Sequence, residues 1–242
     1  MIATLAQIVR RLSMFPYPAL LCAAVLGTRI AAADADTAFP CAGVPVRVYA
    51  PSAGEAAQAC EAATRTIRFM RGHKFLTERP LRIRIVERLP SRPHSSDLGQ
   101  FDARTSEIKV LSYKICQELA VDKPPFKIPM SPALHKSFIV HELAHAIAHD
   151  NFEITKPSLG AHEYIAYTVQ LAVMETTLRE QILDRYTVDA FTDESEITSL
   201  YLELSPASFA VKSYKHLMNL PDPTSFYRRL LSGGFVPADV WE

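Results

Sequence analysis

The stretch SFIVHELAHAIAH, residues 137–149, decides how this chain is read. An α-helix turns once every 3.6 residues, so residues four apart stack on one face. His141 and His145 have that spacing and can offer two imidazole nitrogens to one ion. Glu142 is rotated about a quarter turn away. It is therefore free to reach a water held by the ion rather than to ligate it. The flanks are apolar, with Phe138, Ile139, Val140, Leu143, Ala144, Ala146, Ile147 and Ala148. A helix of that composition is largely buried, and buried imidazoles and carboxylates need partners. Two histidines and a carboxylate base in this frame are the arrangement of a zinc hydrolase.

Working outward, Ser131-Pro132 predicts the helix start, with Ser at the N-cap and Pro at the first helical position. The helix is expected to run to about Asp150, with Val140, Leu143, Ala144 and Ile147 facing the core. Asn151 to Pro157 turns the chain back. A second helix is predicted from Ser158 or Leu159 towards Tyr186, carrying the stripe Glu163, Tyr167, Gln170, Met174, Leu178 and Ile182. Catalytic zinc commonly takes three protein ligands and leaves one position for water. Glu163, beyond the turn and near the start of an antiparallel helix, is the expected third ligand. Two alternatives are open: Glu163 serving the helix dipole, and His162 as the ligand instead.

Upstream, Val44 to Tyr49 and Leu81 to Val86 alternate as strands, and a helix from Pro51-Ser52-Ala53 to Gly72 lies between them. Gly99 to Leu111 reads as a hairpin whose second strand is about Glu107 to Leu111. A short helix spans Tyr113 to Ala120, and Asp122 to Pro129 is a proline-stiffened crossover with solvated charges. Downstream, Ile197 to Leu204, Phe209 to Met218 and Phe226 to Leu231 are short helices. The fold class expected is α+β: a small mixed or antiparallel sheet followed by a helical part that carries the site helices.

The site resembles that of the gluzincin zinc metallopeptidases, in particular the peptidase MA-like group. The likeness rests on His141-Glu142-Leu143-Ala144-His145 followed by Glu163-Tyr164-Ile165-Ala166, and in outline covers about residues 98–180. The resemblance implies a zinc ion held by His141, His145 and Glu163, with Glu142 as catalytic base. It also implies an extended peptide substrate laid along a strand such as Glu107 to Leu111. Thermolysin-like members carry Asp four residues after the ligand Glu. Here Tyr167 stands there, so the group that orients a ligand histidine must come from elsewhere. Ala148 and Asn151 do not fit the metzincin pattern. His149 is about two turns beyond His141, which suits a helix C-terminal cation or a supporting donor. Tyr164, Tyr167, Tyr201 and His149 are candidate oxyanion donors.

Lys plus Arg and Asp plus Glu number 26 each, so no charge excess points to nucleic acid or an anionic membrane as partner. The N-terminus reads as an export signal over residues 1–33, ahead of one zincin-like domain over 34–242. Arg10 and Arg11 precede the apolar stretch Met14 to Gly27, and Ala31-Ala32-Ala33 offers a cleavage site. The apolar stretch is short for a membrane span, an uncleaved anchor or buried helix being the alternatives. The arginine pair also weakly resembles a twin-arginine signal. A periplasmic or secreted protein is expected. In that setting Cys41, Cys60 and Cys116 should form one disulfide. Three pairings are open, and a strand followed by a returning helix favours Cys41 with Cys60. The leading reading is an exported zinc metallopeptidase acting on peptides or proteins. The alternatives are a catalytically inactive binding module of the same fold and a zinc amidase acting on cell-wall material.

Overall fold

The five strands form one mixed sheet. In this computed structural model, which describes residues 37–90 and 98–234, they are β1 (Thr37–Pro40), β2 (Val46–Ala50), β3 (Leu81–Val86), β4 (Gly99–Asp102) and β5 (Glu107–Leu111). Their order is β1-β2-β3-β5-β4. Both edge pairs are antiparallel, while β2–β3 and β3–β5 are parallel. A parallel pair needs a crossover, and α1 (Ala53–Gly72) supplies it between β2 and β3. Ser52 caps α1, its hydroxyl accepting from the Glu55 amide.

The strand alternation sorts the two faces. Val46, Val48, Leu81, Ile83, Ile85, Ile108 and Val110 point into the core. On the other face Arg84 lies 4.3 Å from the centre of the Tyr49 ring and donates to Glu107 at 2.6 Å. Helices α1 and α3 (Pro132–Asn151) cover the apolar face, and α4 (Leu159–Val173) packs on α3. The remaining helices are α2 (Tyr113–Leu119), α5 (Thr176–Arg185), α6 (Ser199–Leu204), α7 (Pro206–Asn219) and α8 (Pro223–Leu231). This is the α+β class expected. The described residues all belong to one compact unit, and no helix among them is long and apolar enough to cross a membrane. The export signal, most of the loop after Pro90 and the tail to Trp241 lie outside the described residues.

Cys41 and Cys60 form the favoured disulfide, tying the β1–β2 turn to the middle of α1. Cys116 is free and buried, and burial pushes its thiol up to about 12.

Two expectations need correction, and one strand was not foreseen. The second site helix does not run unbroken to Tyr186: it stops at Val173, and α5 begins at Thr176. No Gly or Pro marks the break. The carbonyls it frees are met by Arg179, which donates to those of Leu171, Ala172 and Met174, each at 3.4 Å. Thr37–Pro40, unread in the sequence, is an edge strand too exposed to show apolar alternation. Finally, Glu107–Leu111 is an inner strand. Its parallel pairing with β3 leaves β4, the first strand of the hairpin, at the sheet edge.

Candidate metal centre

Helix α3 carries the site because its start is fixed by local chemistry. Ser131 accepts from the Leu134 amide at 3.2 Å, and Pro132 occupies the first turn. Val140, Leu143, Ala144 and Ile147 are buried as expected. Their burial turns His141, Glu142 and His145 towards a cleft. Helix α4 returns antiparallel across α3, with Ser158 capping its start by accepting from the Ala161 amide. Gly160 allows the following segment to close over that start: a Cβ there would lie 2.8 Å from the Ile197 carbonyl oxygen.

The two helices bring His141, His145 and Glu163 together. The Nε2 atoms of His141 and His145 are 3.0 Å apart. Glu163 Oε2 lies 3.4 Å from His141 Nε2, and Oε1 lies 3.3 Å from His145 Nε2. A tetrahedral ion with bonds of about 2.0–2.1 Å sets its ligand atoms about 3.3 Å apart. The three observed separations are close to that spacing, with one carboxylate oxygen turned to each imidazole. These residues could hold a divalent cation, and they form a ligand cluster among the described residues.

The electrostatics agree. Burial alone would raise the Glu163 pKa, yet the His145 and His141 imidazoles hold it well below the usual carboxylate range. Burial opposes a charged His145, but Glu163, with Glu142 behind it, raises its pKa above the ordinary value. The pocket thus favours positive charge at its centre.

The cleft has a volume of about 820 Å³. One wall is β4, where Glu142 presses on the backbone: a Cβ on Gly99 would lie 2.6 Å from Glu142 Cγ. Glycine at 99 is what lets the carboxylate sit directly beside the sheet edge. The 123–127 segment, Tyr186 and Ala207 also line the cleft. Phe126 and Lys127 both adopt positive φ, of 53° and 56°. Phe126 is buried with Ile128 in a second apolar cluster, while Asp122, Lys123 and Lys127 stay exposed, as expected of the crossover.

The other candidates separate cleanly. His149 lies in the last turn of α3, lines the cleft and packs on Phe101, outside the ligand cluster. His162 also lines the cleft, with its ring centre 5.9 Å from that of His145 and 4.5 Å from Phe152. It is not one of the three clustered ligands, and burial together with the His145 charge lowers its pKa to about 4. Tyr167 lines the cleft, 4.5 Å from the His141 ring. Tyr164 is fully buried and hydrogen-bonded to His216 Nδ1 at 2.7 Å, and Tyr201 packs on Phe191 and Phe209. Neither faces the cleft.

Two features escaped the sequence reading. The cleft wall at 123–127 and Tyr186 is assembled from distant segments and left no local signal. The partner of His141 is Gln170, whose Oε1 lies 3.1 Å from Nδ1. Its trace in the sequence is a polar residue inside an apolar stripe.

Residues 46–240 match the family described as "Family of unknown function (DUF6639)". The chain belongs to that family. The match spans more than three quarters of the chain and includes His141, His145, Glu163, Glu142 and Gln170. No curated protein and no solved structure matches it.

Proposed function

We propose that this member of DUF6639 is an exported zinc-dependent metallopeptidase. The observation that carries the reading is the ligand-spaced cluster of His141, His145 and Glu163, with Glu142 beside it against β4, the edge strand among the described residues. When bound, zinc would supply an acidified water and polarise the carbonyl under attack. Glu142 would take the proton of the attacking water and deliver it to the leaving amine. The edge of β4 would hold the substrate as an added antiparallel or parallel strand, using backbone groups that need no particular side chain. That edge favours an extended peptide over a cell-wall glycan. His149 and Tyr167 line the same cleft and are the candidate donors to a developing oxyanion. Export is supported by the leader-like residues 1–33 and by the Cys41–Cys60 disulfide.

Glu142→Ala tests the mechanism. The variant should retain zinc and lose peptide hydrolysis by about 10²–10⁴-fold, the range for removing a general base. Undiminished turnover would remove Glu142 from the reaction. Zinc binding by the wild type with no turnover across a broad peptide library would favour the binding module instead. Turnover of cell-wall fragments alone would favour the amidase.

A further inference from the structure

Gln170 sits in the middle of an apolar helix, between Val169 and Leu171, and all three are fully buried. A leucine or methionine would fill the space without the desolvation cost of an amide. The amide is instead a link in a polar chain that ends on a metal-ligand candidate. Ser137 Oγ lies 2.7 Å from the Leu134 carbonyl oxygen, Gln170 Nε2 lies 3.0 Å from Ser137 Oγ, and Gln170 Oε1 lies 3.1 Å from His141 Nδ1.

The direction of this chain is fixed from its far end. A carbonyl oxygen only accepts, so at 2.7 Å the Ser137 hydroxyl must donate to Leu134. A hydroxyl has one proton, so Ser137 Oγ can only accept from Gln170. That turns the amide NH₂ towards Ser137 and the amide oxygen towards His141. An amide oxygen also only accepts, so Nδ1 of His141 carries the ring proton. With the amide reversed, the hydroxyl would donate to Gln170, and its oxygen would face the Leu134 oxygen at 2.7 Å with no proton between them.

We propose that Gln170 is a positioning residue that holds His141 as the Nδ1–H tautomer and so aims an unprotonated Nε2 at the metal position. Nε2 is the atom that faces His145 and Glu163. Gln170 thus stands in for the carboxylate that the resemblance leads one to expect at position 167, where Tyr167 is found. It acts from one turn further along α4 and carries no charge. The inference concerns the same site as the peptidase reading, but its first readout needs neither metal nor substrate.

The test is imidazole nitrogen NMR of the metal-free mature protein at alkaline pH, joined to zinc affinity by competition with a chromophoric chelator. Wild type should show His141 as Nδ1–H. Gln170→Leu should release it to a mixture of tautomers and weaken zinc by about 10–100-fold, the usual effect of losing such a partner. Gln170→Glu restores an acceptor and should return both tautomer and affinity to within about threefold of wild type. Ser137→Ala removes only the hydroxyl at the far end, in a residue type that favours helix. It should loosen the tautomer while leaving the fold intact, and so serves if Gln170→Leu fails to fold. His141 found as Nε2–H in wild type would overturn the assignment. So would unchanged tautomer and zinc affinity in Gln170→Leu and Ser137→Ala, or failure of Gln170→Glu to rescue. Absence of zinc binding by the wild type would sink the peptidase reading while the tautomer result stood on its own.

Discussion

Helix α4 has a polar group network on each of two faces, and they differ in one respect. Towards α7 and α8, Tyr164 donates to His216, Tyr227 to Thr168, and Thr168 to the Tyr164 carbonyl, at 2.7, 2.8 and 2.7 Å. Each of these contacts pairs a donor with an acceptor. Burial holds His216 below its ordinary pKa and drives both tyrosines well above theirs, so the network stays neutral. Towards α3, the Nε2 atoms of His141 and His145 and the Glu163 carboxylate converge at 3.0–3.4 Å. The first network is closed and holds helices together. The second gathers two imidazoles and a carboxylate around one point, an arrangement that would suit a bound cation. The difference teaches how a structural polar cluster differs from a candidate functional one on two faces of a single helix.

The contrast can be broken from either side. The largest stability effect should come from neither network. Cys41→Ser with Cys60→Ser opens a loop that a disulfide closes, which by chain entropy costs about 3 kcal/mol in denaturant unfolding. Zinc content should not change, since neither cysteine belongs to the cluster of His141, His145 and Glu163. A fall in zinc content would mean that the sheet and the site are coupled. Next, Thr168→Val leaves the buried Tyr227 hydroxyl without its partner and should cost about 1–3 kcal/mol. Zinc affinity should hold, because the closed network does not touch the ligands. A matching loss of affinity would erase the distinction between the two faces.

The smallest effect is pH dependence from the outer sheet face. Burial raises the Glu107 pKa, but Arg84 and Lys109 outweigh it and hold it below 4.5. A depressed carboxylate stabilises the fold above its unfolded value and loses that contribution as pH falls through the folded one. Thermal stability should therefore drop below about pH 4.5, and Glu107→Gln should flatten part of that drop, by at most about 1 kcal/mol for a pair so near solvent. An unchanged acid limb in the variant would show that the Arg84–Glu107 pair contributes nothing.

What the sequence disclosed was what is local. The α3 start follows from Ser131 and Pro132, β3 from the alternation of Leu81 to Val86, and the pairing of His141 with His145 from helical spacing. Glu163 was within reach because a short turn and an antiparallel helix leave few places for it to go. What failed was what depends on distant neighbours. The hairpin strand next to the site could not be identified as β4 without knowing that β5 pairs with β3. The break after Val173 is stabilised by Arg179 from the following helix, not by a helix-breaking residue. Gln170 was visible as a polar interruption, but its partners Ser137 and His141 lie on another helix.

The most direct test of the proposed metal centre is metal analysis of the purified protein beside His141→Ala and Glu163→Ala. One zinc per chain in wild type, lost in both variants, is the predicted result. No zinc in wild type, or full zinc in Glu163→Ala, would contradict it.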